Sequence, residues 1–92
     1  MPYRLKADAD LAKALGATLR TLRKLRGYKI KGVHVTTGLA ENSIAAWEQG
    51  KHMPSMQNLR ALADFYRIRL SALLANTETA LALTSKGKHR DT

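Results

Sequence analysis

No cysteine occurs among the 92 residues, which removes a disulfide framework, a thiolate zinc site and a cysteine nucleophile, and permits a reducing cytoplasm. Long apolar runs are missing too. The longest, such as Leu70 to Ala75, falls far short of the about 18 residues that a membrane span requires. The amino-terminal MPYRLKADAD has no apolar core of the kind a signal peptide needs. Acidic residues are scarce: Asp+Glu 7 stand against Lys+Arg 16, a formal net charge of +9. That excess exceeds what solubility requires and points to a polyanionic partner. No nucleophile elbow, phosphate loop or catalytic signature of known spacing is present, and His34, His52 and His89 show no metal-ligand spacing. The expectation is therefore a chain that is not an enzyme and carries no metal or cofactor. Internal repeats and low-complexity blocks are also absent.

What is present suits one globular domain. A chain of 92 residues with 45% hydrophobic content buries roughly 60 to 65% of its unfolded surface and is too short for two domains. Leu11, Leu15, Leu19, Leu22 and Leu25 or Arg26 recur at steps of three and four, an apolar helical stripe with Asp8 or Asp10 as its cap. Lys13, Arg20, Arg23 and Lys24 project from the other sides. Gly16 weakens this helix by about 1 kcal/mol relative to alanine, which sets its regular start near there, and Gly27 closes it. Pro54-Ser55 followed by Met56, Leu59, Leu62, Ala63 and Tyr66 is a capped amphipathic helix. Ile68, Leu70, Leu73 and Leu74 indicate a further short helix, extendable through Thr77 to Leu83, before a polar, basic stretch from Thr84 to Thr92. The domain is thus expected over 10–75, with an amino-terminal arm over 1–9 and a largely flexible basic extension over 76–92.

Residues 32 to 51, GVHVTTGLAENSIAAWEQGK, contradict themselves. Val33 to Thr37 alternates β-branched residues as a half-buried strand does, whereas Ser43 to Glu48 has helix composition and ends near glycine. A strand here would have no partner, since a lone two-stranded ribbon is marginal and no other strand candidate exists. Taken as helices, the same residues agree with one another: Ile30, Val33 and Thr37 share a face, Gly38 breaks the first helix, and Ile44 and Trp47 lie three apart on the next, which Gly50 ends. Two short helices joined by a tight glycine turn form a helix-turn-helix, whose second member fits a major groove about 12 Å wide.

Residues 15 to 74 resemble the lambda-repressor and Cro-like helix-turn-helix family, the Xre type. The matching landmarks are Leu19, Leu22, Arg23 and Gly27, then Val33, Gly38, Leu39, Ile44, Trp47, Glu48, Gly50, Lys51, Pro54, Leu59 and Ala63. The run W-E-Q-G-K-x-x-P-S is similar to the family's I-E-x-G-x-x-x-P-S. The resemblance implies an all-α, lambda-repressor-like bundle of about five helices with residues 40 to 48 as the recognition helix. It maps base-reading positions onto Glu41, Asn42 and Ala46, with Ala45 near the groove. Asn42 has the chemistry for a bidentate contact with adenine, Glu41 for accepting from a cytosine amino group, and the alanines for touching a thymine methyl. Glu41 has an alternative role as a first-turn acid that stabilises the helix dipole. The family's phosphate clamps fall on Lys29, Ile30 and Lys31, then on Ser43, Gln49, Lys51 and His52; such contacts set register without reading sequence. Arg23 and Glu48 match a pair that joins the first and third helices in the family.

Three positions depart from the family pattern. Ile30 stands where a glutamine usually helps hold a phosphate. His34 stands where small residues are usual at a close crossing, so either the crossing opens or the imidazole turns outward. Arg67 stands where a turn glycine is common and has to adopt a positive φ or an alternative turn.

The expected function is that of a sequence-specific, double-stranded-DNA-binding transcriptional regulator, a repressor of the phage or mobile-element sort that occupies an operator. So lean a reading head gains selectivity by binding a palindromic operator as a homodimer. With no sensor domain expected after residue 75, no small-molecule ligand is expected, and neither is a membrane. The place of action is the cytoplasm, in association with the nucleoid. Arg4 and Lys6, or the basic tail, either follow the DNA backbone or lie free. The rival reading is a protein-interaction module or antitoxin of the same fold, meeting its partner through the fifth helix and Leu81 to Leu83.

Overall fold

In the computed structural model the chain forms five helices: α1 Pro2–Leu25, α2 Ile30–Thr37, α3 Glu41–Glu48, α4 Met56–Phe65 and α5 Leu70–Arg90. The structure describes residues 2–90, with side chains over 9–82, and contains no strand among them. Val33 is fully buried and Val35 is 71% exposed. A strand would have set these two residues on one face; the helix α2 separates them. Its β-branched residues serve it locally, as Thr37 Oγ1 donates to the Val33 carbonyl at 2.7 Å.

The core gathers one stripe from every helix. Leu15, Leu19 and Leu22 of α1 meet Val33, Ile44 and Trp47, and Leu59, Leu62, Ala63, Tyr66 and Leu73 complete the cluster. Each large apolar side chain enclosed in this way contributes roughly 1.5–3 kcal/mol. Phe65 lies edge-on to Tyr66, with ring centroids 5.0 Å apart, and is tilted against Tyr28 at 4.8 Å.

Helix ends follow a shared chemistry. After α1, Gly27 N–H donates to the Lys24 carbonyl and Tyr28 N–H to that of Arg23; after α3, Gly50 donates to Trp47 and Lys51 to Ala46; after α4, Arg67 donates to Asp64 and Ile68 to Ala63. This reversal needs a left-handed residue. Arg67 occupies that position with φ 57°, so of the two alternatives open to it the chain takes the positive φ. Arg26 reinforces the α4 end by donating through Nε and Nη2 to the Tyr66 carbonyl. At the start of α4, the Ser55 hydroxyl accepts from Asn58 N–H at 3.1 Å.

Several expectations need correction. The segment expected as an arm over 1–9 is the first part of α1, which begins at Pro2, a residue whose fixed φ and missing N–H suit a first helical turn. Asp8 and Asp10 are therefore inside the helix and do not cap it, and Gly16 does not mark its start. The α1 stripe ends at Leu22, because Leu25 is 73% exposed. At the other end, α5 takes up the extension through Thr77 to Leu83 and continues to Arg90, into the stretch expected as a flexible tail. Its middle packs on α1, where Thr77 is buried and donates its hydroxyl to the Leu73 carbonyl at 3.0 Å. The side chains of Arg4, Lys6 and Leu83 and those of the basic tail lie outside the described residues.

Candidate nucleic-acid interface

The two short helices α2 and α3 are joined by Gly38, Leu39 and Ala40, and both polar groups of the Leu39 backbone are held by side chains of α2. Leu39 N–H donates to Thr37 Oγ1 at 3.1 Å, and His34 Nδ1 donates to the Leu39 carbonyl at 2.7 Å. A carbonyl can only accept, so Nδ1 carries the proton. The half-buried imidazole thus bends over the turn and ties it down.

Helix α3 is fixed to α1 at its C-terminal end. Arg23 Nε donates to Glu48 Oε2 at 2.7 Å and Nη2 to Oε1 at 2.9 Å, while Nη1 donates to the Tyr28 carbonyl at 2.9 Å. One guanidinium thereby links α1, the loop before α2, and α3. The side chains are only 12% and 6% exposed, and the bond to Glu48 outweighs the desolvation penalty, raising the Arg23 pKa above its ordinary value. Next to this pair the backbones nearly touch. A Cβ on Gly16 would overlap the Trp47 carbonyl oxygen and stand 2.7 Å from that of Glu48, and one on Gly50 would stand 2.9 Å from Lys13 Cα. The glycine inside α1 therefore makes room for α3. Burial, aided by the Glu48 charge, pushes the neighbouring Tyr66 hydroxyl up to about 12.

Helix α3 thus has one locked face and one open face. Ile44 and Trp47 are buried, Glu41 and Asn42 are exposed at its start, and Ser43, Ala45 and Ala46 are half-buried. Its N-cap, Ala40, makes no side-chain cap bond, and Glu41 is the acid of the first turn, where a negative charge is stabilised by the positive end of the helix dipole. Gln49, Lys51 and His52 follow α3 and are exposed, as are Lys29 and Lys31 at the start of α2. Ala45 and Gln49 line one small cavity together with Ile30. Lys29 and Lys31 line a separate groove with Tyr28 and Val35. Glu41, Asn42, Lys51 and His52 share neither.

A family model described as a helix-turn-helix domain matches residues 14–75. The chain belongs to the helix-turn-helix family. Its matched segment runs from the middle of α1 to the first turns of α5 and contains the whole core cluster. The cryptic phage CTXphi transcriptional repressor RstR of Vibrio cholerae is 29% identical over 72 residues, covering 78% of this chain. The chain spans 65% of that relative's length. Two crystal structures of the clp gene regulator ClgR from Corynebacterium glutamicum share the fold at 20% sequence identity. One has a TM-score of 0.83 over 88% of this chain and 86% of the other; the second has 0.71 over 76% and 91%.

Arg20, His34 and Thr37 were not singled out from sequence as parts of this surface. Arg20 had a legible signal, since it stands one turn before Arg23 on α1. The partner of His34 had none, because its acceptor is a backbone carbonyl beyond the turn.

Proposed function

We propose that the chain is a sequence-specific, double-stranded-DNA-binding transcriptional regulator, a repressor that acts from the cytoplasm by occupying an operator. The observation that carries this is α3: a short helix anchored to α1 by Arg23–Glu48, with Glu41 and Asn42 exposed. Lysines flank it before α2 and after its own end. In this reading Asn42 pairs with an adenine edge, Glu41 accepts from a cytosine amino group or stabilises its own helix, and Ala45 and Ala46 admit a thymine methyl. Lys29, Lys31, Ser43, Gln49, Lys51 and His52 hold phosphates. Good bidentate base contacts contribute roughly 1–3 kcal/mol of discrimination each, so one or two per protomer favour a homodimer on a palindromic operator. Repression follows from the likeness to the named phage repressor. Selection of bound sites from a random duplex pool tests the reading: a recovered motif with two-fold symmetry and fixed spacing supports it, and no enrichment sinks it.

A protein-binding role is the second reading, supported by an open, mainly apolar groove of about 280 Å³ between α1 and α5, lined by Ala17, Leu22, Leu25 and Ala80. Salt separates the two. Affinity for DNA falls steeply and log-linearly with salt, whereas an apolar interface responds little.

A further inference from the structure

Beside the open face of α3 lies a cavity of about 160 Å³ lined by Arg20, Arg23, Ile30, Ala45, Glu48 and Gln49. Arg23 and Glu48 neutralise each other, and the remaining Arg23 nitrogen is taken by the Tyr28 carbonyl. Arg20 is exposed and has no hydrogen-bond or ion-pair partner among the described residues, so the cavity has one uncompensated positive charge. Gln49 adds amide donors to the rim. Ile30 supplies no side-chain donor. The space is smaller than the about 300 Å³ at which small-molecule pockets begin, and a planar guanidinium fork matches the paired oxygens of a phosphodiester. Ala45 places the opening on the side that α3 turns outward.

We infer that Arg20 binds one phosphate of the DNA backbone in this cavity, with Gln49 as its second donor, a clamp from α1 that replaces the side-chain donor absent at Ile30. The inference rests on the DNA-binding reading. It adds a donor from α1 to the phosphate that Gln49 meets after α3, apart from the contacts at the start of α2.

The test is a salt titration of binding to a short duplex of random sequence. Arg20→Ala should flatten the slope of log affinity against log salt by about 0.9 and weaken binding about tenfold at moderate salt. Arg20→Lys should keep the wild-type slope. Arg69→Ala, which removes the same charge at the connection between α4 and α5, should keep it too. Because Arg20 is exposed, the melting temperature should stay at the wild-type value in Arg20→Ala, which separates contact from folding. An unchanged slope in Arg20→Ala overturns the inference while leaving DNA binding intact, and equal flattening in Arg69→Ala overturns it by showing that net charge alone sets the slope. A wild-type chain that binds no duplex at any salt removes the DNA-binding reading, and the inference with it.

Discussion

Gly16→Ala should destabilise the protein, against the direction that helix propensity predicts. Alanine in the interior of a helix is favoured over glycine by about 1 kcal/mol, and on that ground alone the variant would be more stable. The structure opposes this with a collision. The new Cβ would overlap the Trp47 carbonyl oxygen and lie 2.7 Å from that of Glu48. Both are backbone atoms of α3, so no side chain can swing aside. The last turn of α3 cannot retreat cheaply, because Trp47 is only 7% exposed in the core and Glu48 is bound to Arg23 through two bonds. Overpacking costs about 1–3 kcal/mol and occasionally more; two backbone oxygens that cannot move aside put this case in the upper part of that range, about 2–3 kcal/mol, leaving a net loss of about 1–2 kcal/mol after the propensity gain. For a domain of this size that lowers the melting temperature by roughly 4–16 °C. Urea denaturation with an unchanged m-value measures it, and Gly32→Ala is the control: its Cβ would meet only Tyr28 Cδ1 at 3.6 Å, so propensity acts alone and stability rises by about 0.5–1 kcal/mol. A Gly16→Ala variant as stable as wild type, or more so, would refute the close approach of α1 and α3.

Other perturbations test other parts of the frame. Arg67→Gly relieves a left-handed backbone at φ 57°, where a side chain costs about 1–2 kcal/mol; after the extra chain entropy of glycine, stability should rise by about 0.5–1 kcal/mol, read by thermal melting. Arg23→Ala leaves the nearly buried Glu48 carboxylate unpaired and should cost about 3–5 kcal/mol, whereas Arg23→Met combined with Glu48→Leu should cost clearly less in a double-mutant cycle. Tyr66 is raised from 10.0 to about 12 by burial. The neutral form is favoured in the folded state, so its contribution is complete below pH 10 and is lost as pH climbs to about 12. That loss amounts to about 2–3 kcal/mol, and Tyr66→Phe should be less sensitive than wild type to alkali over this window.

The features legible in the sequence had their causes close along the chain. The valines of α2 could be assigned to a helix because no second strand existed to pair with them, and Ser55 could be assigned as a cap because its acceptor role concerns an amide three residues on. The glycines after α1 and α3 read correctly as stops for the same local reason. Where the cause lay across the fold, the reading failed. Gly16 looked like a weak helix start because its reason is the backbone of α3, more than thirty residues away. The extension of α5 through Thr77 to Leu83 was open from sequence but not decided, because its packing surface is α1, which gives Thr77 a buried place that a polar residue does not advertise; the continuation to Arg90 was read as a tail. His34 posed a legible question as the wrong size for its position, but its hydrogen bond to Leu39 exists only once the turn is made. The open face of α3 was traced through the family resemblance, and composition contributed only the sign of the charge.

The most direct measurement is the base preference of Asn42→Ala, taken by the same duplex selection as wild type and set beside Lys51→Ala. If α3 reads the groove, the first variant loses preference at one base pair in each half-site, at a cost of about 1–3 kcal/mol there. The second keeps the motif and weakens every sequence alike. An Asn42→Ala motif identical to that of wild type, or equal behaviour of the two variants, would contradict the assignment of α3 as the reading helix.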